Sequence, residues 1–457
     1  MKSINTMAAV AILALSSVGL ASAQTYHVTG STAYRVADVS AEVSIVGATG
    51  KATYYGSSLT GANYSVVTNS TGSLKFENYF NGSIAGDEAL VGGVTKLPFP
   101  AATSTGETPT GPLTVYSGAT AASGGRALSS VGSDTDVAFP DIAYSDVSFD
   151  TAQQIIFNST DSTTTVPANN GLTSSIVGVV PFAWVINGST DVIASSGSFT
   201  GLSMTPQAFN TIWGGGSYPF SLLTGVNTDT ATTVYALGRD ADSGTRATAL
   251  AETGYGLLGS GIVTTPVVQY YPYQTATQAL NDTLTGVIGL DSSTSGQTIG
   301  GLNGVPNETI DGYTQNNANG GYNSGGNLAT AVSTTFAPGT TNTVLVTYLG
   351  ASDAKSALTA SGTNRTPAYQ LGYNGTTFLV TPASTTNSNL IYYGRYTFWG
   401  YEHLYYVTSH VSGLTGSTGI AAQLENTLIG GADQLSSNGV TFAGLKVQRS
   451  DDGQSVQ

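Results

Sequence analysis

Val234-Tyr235-Ala236-Leu237-Gly238-Arg239-Asp240-Ala241-Asp242-Ser243-Gly244-Thr245-Arg246 changes character twice along its length. Val234 to Leu237 is apolar and reads as a short strand. A charged turn follows, and Ser243-Gly244 then opens a helical stretch, Thr245 to Leu258. Strands that run through a turn into a helix imply an α/β sheet, with ligand loops at the strand ends. Gly244 lets the backbone approach a ligand closely, and Ser243 and Thr245 offer hydroxyls. The first-turn N–H groups of such a helix point outward, with the positive end of its dipole behind them. Arg239 can add a two-pronged contact to a tetrahedral oxyanion. The same residues also suit an ordinary helix start, with Asp242 or Ser243 as the cap and Arg239 in solvent.

On either side the pattern recurs. Ile176 to Ile186 is a nearly unbroken apolar run closed by Asn187-Gly188, as expected of a strand buried on both faces. Val137 to Tyr144 and Thr343 to Leu349 read as further strands, the first ending in Ser145-Asp146. Helices are expected over Thr205 to Trp213 and Asp353 to Ala360. Two other hydroxyl-bearing turns follow strand-like segments. Gly30-Ser31-Thr32-Ala33-Tyr34-Arg35 comes after Tyr26-His27-Val28, and Asn81-Gly82-Ser83-Ile84-Ala85-Gly86-Asp87 comes after Leu74 to Phe80. Each taken alone suits a plain turn at least as well as a ligand loop. Residues 101–135 and 292–326 are dominated by small and hydroxylated residues and read as surface loops or insertions. No fixed-period repeat is visible, which disfavours a solenoid or propeller.

Composition narrows the function. The chain has 457 residues, 13 Lys+Arg against 27 Asp+Glu, and no cysteine. Without cysteine there is no disulfide, zinc ribbon, iron–sulfur cluster or thiol chemistry. A net charge of −14 argues against nucleic acid, whose phosphates need many cations. Lys2, the apolar run Met7 to Leu20 and Ala21-Ser22-Ala23 read as a secretory leader over residues 1–23. Ser16 and Ser17 interrupt that run, which is short for a membrane anchor. No later stretch is long and apolar enough to span a bilayer. The expectation is therefore a periplasmic or secreted, acidic protein with no stable membrane anchor. His27, His403 and His410 are too few and scattered to suggest a metal site. No Gly-x-Ser-x-Gly elbow and no Gly-x-x-x-x-Gly-Lys-Ser/Thr loop occurs, so neither a hydrolase nor a nucleotide site finds support, and no cofactor is expected.

Taken in order, these segments resemble the periplasmic phosphate-binding proteins of ABC transporters, over nearly the whole mature chain. Thr29-Gly30-Ser31-Thr32 looks like the family's first ligand loop, and Gly82-Ser83-Ile84-Ala85-Gly86 like its second. Asp141 to Asp146 is similar to the segment with the ligand aspartate. Val180-Pro181-Phe182-Ala183-Trp184-Val185-Ile186-Asn187 resembles the first strand between lobes, and Thr205 to Gly214 the following helix and Trp-Gly turn. Arg239 with Ser243, Gly244 and Thr245 has the spacing of the anion-binding arginine loop. Tyr348-Leu349-Gly350 looks like the return crossing, and Phe398-Trp399-Gly400-Tyr401-Glu402-His403-Leu404 like the late aromatic segment.

The resemblance implies a two-lobed periplasmic-binding-protein fold of type II, α/β, with two crossings between lobes and Gly/Thr-rich surface insertions. Residues 24–182 would begin lobe one, 183–344 would form lobe two, and 345–457 would complete lobe one. Ser31, Thr32, Ala33 (through its N–H), Ser83 and Asp146 would face Arg239, Ser243, Gly244 and Thr245 across the ligand. Which of Ser31 and Thr32 makes the contact is open, because the first loop is short for the family. The family's acidic residue two places after the arginine is Ala241 here, so Asp240 or Asp242 would have to substitute. A carboxylate at Asp146 suits an oxyanion that carries a proton, as hydrogen phosphate does, and disfavours sulfate. Helix capping or pairing with Arg239 is the plainer role for it. The implied function is capture of phosphate or a similar oxyanion by a monomer, without catalysis, for delivery to ABC permease subunits. Two rivals are an extracellular structural or adhesive protein, which would be all β, and a secreted phosphate-ester hydrolase, which would need metal ligands or a base near Ser83 or Ser243. Because surface charge is screened beyond about 8 Å at physiological salt, the acidic exterior should not oppose closure on an anion. It should, however, deprive the encounter of steering. Stopped-flow association of phosphate is expected to hold steady or quicken as salt is raised, and a steep fall would contradict this.

Overall fold

The computed structural model describes residues 23–92, 96–100, 108–117, 120–128, 135–153, 171–197, 199–240, 242–255, 267, 269–270, 309–310, 313–314, 321–322, 324–336, 340–362, 365–380, 385–408, 413, 419–435 and 440–457. The chain enters as β1 (Gln24–Gly30), turns through Ser31 to Tyr34, and continues as α1 (Arg35–Val46). β2 (Lys51–Tyr55), β3 (Tyr64–Thr68) and β4 (Leu74–Tyr79) form an antiparallel meander, from which α2 (Ser83–Gly92) departs. β4 and β5 (Ile142–Ser145) flank β1, both parallel to it. The strand expected over Val137 to Tyr144 is two strands. Thr135–Ala138 pairs with Leu97–Pro100, and after Pro140 the chain rejoins the main sheet as β5. Proline offers no N–H to a ladder, so the break falls there.

β6 (Leu172–Gly188) organises the rest. Its Leu172 to Pro181 stretch pairs antiparallel with β11 (Trp399–Val407), while Phe182 to Gly188 pairs with β9 (Thr343–Gly350). The change of partner falls at Pro181. Between these strands in sequence come α3 (Pro206–Gly215), β7 (Ser217–Pro219), β8 (Thr233–Ala236), α4 (Gly244–Thr253) and α5 (Gly325–Val332). α6 (Ala351–Leu358) and β10 (Tyr369–Tyr373) follow β9, and α7 (Ile420–Ile429) follows β11. The sheet reads β7-β8-β9-β6-β11-β5-β1-β4-β3-β2, with Arg126–Ala127 at the β2 edge and β10 added to β6. It thus has two runs of strands that share β6. Parallel βαβ-type pairings sit in each run, β1 with β4 and β5 in one and β8 with β9 in the other. β9 and β10 both stay with the second run, so the passage back to the first is made at Trp399 and not at Tyr348-Leu349-Gly350. Helices are plentiful among the described residues, which removes the all-β expectation of a structural or adhesive protein.

Packing explains the long strand. A bulge at Val177 turns its carbonyl to the Tyr34 hydroxyl at 3.3 Å, and Gly178 leaves room for that ring. On the second run Trp184 stacks on Phe398 (4.9 Å between ring centres) and meets Phe209, Trp213 and Tyr348 within 6 Å. The tract 101–135 is not loose where it is described. Thr110 bridges to Ala52, and Leu113 and Ala122 join the core. The leader expected over residues 1–23 lies outside the described residues except for Ala23.

α1 buries acids as well as apolar groups: Asp38 and Glu42 are fully buried against the sheet. Burial pushes Glu42 up to about 8, against the opposing pull of the Asn78 amide, which donates to it at 2.7 Å. A carboxyl whose pKa is raised on folding stabilises the fold below its unfolded value, and that contribution is lost as pH climbs toward 8. His403, lowered to about 4 by burial, works oppositely, costing stability as pH falls below its unfolded value near 6.5. The native protein should therefore be most stable at weakly acidic pH. Glu42→Gln keeps the acceptor for Asn78 and should flatten the alkaline side, a gain over the native chain on the order of a few kcal/mol at pH 8. Urea unfolding at pH 5 and pH 8 measures it, and an equal drop in both proteins would refute the assignment.

Candidate functional site

Three strand-end turns meet where the two runs of the sheet abut. The first follows β1. Gly30 has φ of +113°, and a Cβ there would fall 1.9 Å from the Tyr144 carbonyl, so only glycine lets Ser31 N–H donate to that oxygen at 2.7 Å. The second is Asn81-Gly82-Ser83, held by Gly82 N–H on the Gly30 carbonyl at 3.0 Å and Thr29 Oγ1 on Asn81 Oδ1 at 2.8 Å. The third is the loop from Arg239 to Gly244. It touches the second directly, because Ile84 N–H donates to the Asp242 carbonyl at 2.9 Å.

Asp146, just past β5, lies among them at 1% exposure. Ser83 Oγ donates to its Oδ1 at 2.5 Å, Thr245 Oγ1 donates to its Oδ2 at 3.0 Å, and its own N–H donates to Ser83 Oγ at 3.3 Å. A Cβ on Gly244 would sit 1.8 Å from Asp146 Oδ1 and 2.7 Å from Ser83 Oγ. Burial raises the Asp146 pKa, and the Ser83 and Thr245 hydroxyls and the Arg239 charge pull it back. The carboxylate stands at the start of α4, where the helix dipole favours negative charge.

Arg239, 2% exposed, comes from the second run and reaches the first: Nη1 donates to Thr32 Oγ1 at 3.4 Å. Its Nε donates to the Tyr322 carbonyl at 2.8 Å. Its main chain is fixed by Gln269 Nε2 on its carbonyl at 3.0 Å and by its N–H on the Tyr348 hydroxyl at 3.3 Å. Gln269 and Tyr348 bond each other at 2.9 Å. Thr32, Ser83, Asp146, Arg239, Gly244 and Thr245 are thus brought together. Ala33 adjoins them, its Cβ within 3.3 Å of where one on Gly350 would lie. Ser243 caps α4, its Oγ accepting from Arg246 N–H at 3.3 Å, which leaves its hydroxyl proton to donate. Ser31 turns its hydroxyl into the interior beside Glu402, so Thr32 is the member of that pair that meets Arg239.

Four contributors were not found from sequence. Arg35, at the head of α1, donates to Asn63 and shares a local field with Arg239 and Asp353. Asp353, in the first turn of α6, is raised by burial and lowered by the Arg35 and Arg239 charges. It is a further acid in the field of Arg239, beside the Asp240 and Asp242 expected there; Ala241 lies outside the described residues. Tyr322 lies within the tract 292–326 read as a surface insertion, yet it is fully buried on Arg239. Gln269 comes from a segment with no motif. The histidines stay apart: His27 lies 3.3 Å from Asp141 and 3.5 Å from Glu77, His403 is on β11, and His410 is outside the described residues. Among the described residues no group of three His, Cys, Asp or Glu is arranged to hold a metal, and no helix is long and apolar enough to cross a membrane.

Among solved structures the chain is similar to a Clostridium perfringens protein assigned as a phosphate ABC transporter substrate-binding protein, with phosphate bound (TM-score 0.40, 11% identity, covering 90% of this chain and 96% of that one). It is also similar to an ABC-type phosphate transport receptor from Vibrio cholerae (TM-score 0.35, 12% identity, 89% and 98% covered). A phosphate binding protein from Stenotrophomonas maltophilia gives TM-score 0.34 at 13% identity, with 84% and 79% covered. No family model and no curated protein matches. What the site can do is read from its own residues.

Gly244→Ala tests that packing. Inside a helix alanine is favoured over glycine by about 1 kcal/mol. Here the methyl would press on Asp146 and Ser83, so a net loss of about 1–3 kcal/mol is expected. Denaturant unfolding of the variant reads it, and a neutral or more stable Gly244→Ala would disprove the contact.

Proposed function

We propose that the chain is an exported solute-binding protein that encloses an inorganic oxyanion, phosphate in the first place, and passes it to an ABC-type permease. The observation that carries the proposal is the Ser83–Asp146–Thr245 contact with Arg239 reaching Thr32 beside it. Hydroxyls, helix-start N–H groups and a buried guanidinium from separate parts of the chain converge on one spot. First-turn N–H groups such as those of Gly244 and Thr245 have no intrahelical acceptor and serve anions well. On this reading β1 to β5, β11 and the first stretch of β6 make one lobe. The second stretch of β6 through β10 makes the other, and the ligand lies at their seam.

Asp146 decides which anion. A carboxylate has about four acceptor positions, and two hydroxyls leave room for a donor. Hydrogen phosphate brings a proton to that place, whereas sulfate brings only lone pairs. Sites built on one such hydrogen bond discriminate by about 10⁴–10⁵. Phosphate at 100 times its Kd should stabilise the native protein by about 2.7 kcal/mol, visible as a rise in Tm that sulfate does not give. Asp146→Asn should bind sulfate more tightly relative to phosphate in calorimetry. An absent phosphate shift would end the reading, and unaltered selectivity in the variant would end the role given to Asp146.

One contact also favours a second reading. A serine hydroxyl 2.5 Å from a buried carboxylate is a nucleophile beside a base, as a phosphate-ester hydrolase would need. Turnover of p-nitrophenyl phosphate by the native protein but not by Ser83→Ala would replace binding with catalysis, and bound phosphate without turnover keeps the first reading.

A further inference from the structure

The segment after Leu445 takes no part in the sheet or in the anion site, yet it grips both. Gln448 and Gln457 exchange backbone hydrogen bonds at 2.9 and 2.8 Å, closing a loop that carries Arg449, Asp451 and Asp452. The Arg449 side chain is fully buried, with its guanidinium 4.3 Å over the Trp399 ring. Its Nη1 lies 3.1 Å from Glu252 Oε2, and Nη2 donates to the Thr397 carbonyl at 2.5 Å. Glu252 is near the last turn of α4, the helix whose first turn holds Gly244 and Thr245. Gly453 rests on the carbonyl of Ala251, one residue earlier. The acids of the same loop reach the other way. Ser148 N–H donates to Asp452 Oδ2 at 2.7 Å, and Ser148 Oγ donates to Asp451 Oδ1 at 2.5 Å, two residues beyond Asp146.

α4 packs on α3 and β9 in the second run of strands, while Ser148 follows β5 in the first. One short loop therefore binds the far end of α4 with a cation and the Asp146 segment with two acids. We infer that Arg449 to Asp452 form a strap across the seam, and that Arg449 is a positioning residue for the anion site. It touches no ligand. α4 is the lever: a helix is stiff over so few turns, so a displacement at Glu252 is carried to Thr245. The strap closes the third side of a frame whose other two sides are the β6 crossing and the passage into β11. Holding Thr245 against Asp146 keeps the seam shut once an anion is inside, so the strap governs escape more than entry.

This inference rests on the anion-binding reading, and its test separates the two. Phosphate association and dissociation are measured by stopped-flow on the native chain, Arg449→Gln, Glu252→Gln and the double variant. Glu252→Gln keeps one oxygen that can accept from Arg449 or Thr397 and removes the charge at nearly unchanged volume, so it disturbs the fold less than Arg449→Gln. Each single variant should raise koff about tenfold or more, as cutting one partner of a buried charge pair does, with kon within about twofold. The double variant should be no worse than the singles, because both remove one interaction. Unchanged koff, or a lower Tm with native koff, overturns the strap. Amide exchange of the ligand-free proteins gives a second reading: Gly244 to Arg246 should exchange faster in Glu252→Gln while β2 and β3 do not. If the native chain fails to bind phosphate, the functional reading falls, and the exchange of those amides alone decides the strap.

Discussion

Asp146 is a carboxylate without water, and its surroundings follow from that condition. Burial penalises the charged form, and the opposing pull comes from two hydroxyls, a helix start and a nearby guanidinium. Each source arrives from a different element: Ser83 heads α2, Thr245 is in the first turn of α4, and Arg239 precedes α4 at the end of β8. Hydroxyl donors can approach a carboxylate this closely only if nothing else stands between them, which is why α4 begins with Gly244. Gly30 and Gly82 fill the same need one layer out, where backbone meets backbone. The seam between the two runs of strands is thus marked by polar contacts set within an apolar core that continues from one run into the other.

The distribution of charge is the second consequence. A chain of net charge −14 carries its acids inside as well as outside. Asp38, Glu42, Asp87 and Glu402 are buried beneath the first two turns, each pushed up by burial. Burial disfavours the charged form of each, which lessens the negative potential they add to the seam. Arg35 and Arg239 stand above them with Asp353 between their fields. An anion of the kind proposed would meet nearby cations and dipoles there, with the exterior acids screened by salt.

Much of this was legible in the residues, for a definable reason. A strand that ends in Gly-Ser or Ser-Gly and opens a helix is a local pattern, so the turns bearing Ser83, Gly244, Thr245 and Thr32 were visible, though only their order along the chain, through the family resemblance, set the Thr32 and Ser83 turns apart from plain turns. β6 was legible because burial on both faces leaves an unbroken apolar run. What escaped depends on contacts between distant segments. Asp353 reaches the field of Arg239 through the parallel pairing of β8 and β9, and no spacing in the sequence encodes that. Tyr322 hides in a tract whose composition says loop. Tyr34, at the N-cap of α1, and Asp38 and Glu42 on it lie four residues apart, a spacing that two acids would ordinarily mark as a wet face, yet α7 and the sheet enclose it. The return of the chain, read at Tyr348, depends on strand pairing: β9 stays with β6 and β8, while β11 pairs with β5, and only those hydrogen-bond partners tell the two crossings apart.

On the proposed anion-binding reading, a site already holding one negative group must admit another, and this limits how it can work. Two fully ionised groups cannot share so dry a place without a proton between them, as paired carboxylates illustrate. The seam can solve this in one of two ways. Asp146 can take up a proton itself, which its raised pKa favours, or the ligand can bring one. In the first case the carboxyl becomes a donor and any tetrahedral oxyanion is accepted, so selectivity vanishes. In the second the carboxylate stays an acceptor, and Ser83 and Thr245, both donating to it, hold it in that state. The hydroxyls therefore do more than support a side chain. By donating, they favour the ionised form of Asp146, and it is that form which, on the proposed reading, would distinguish an anion with a proton from one without.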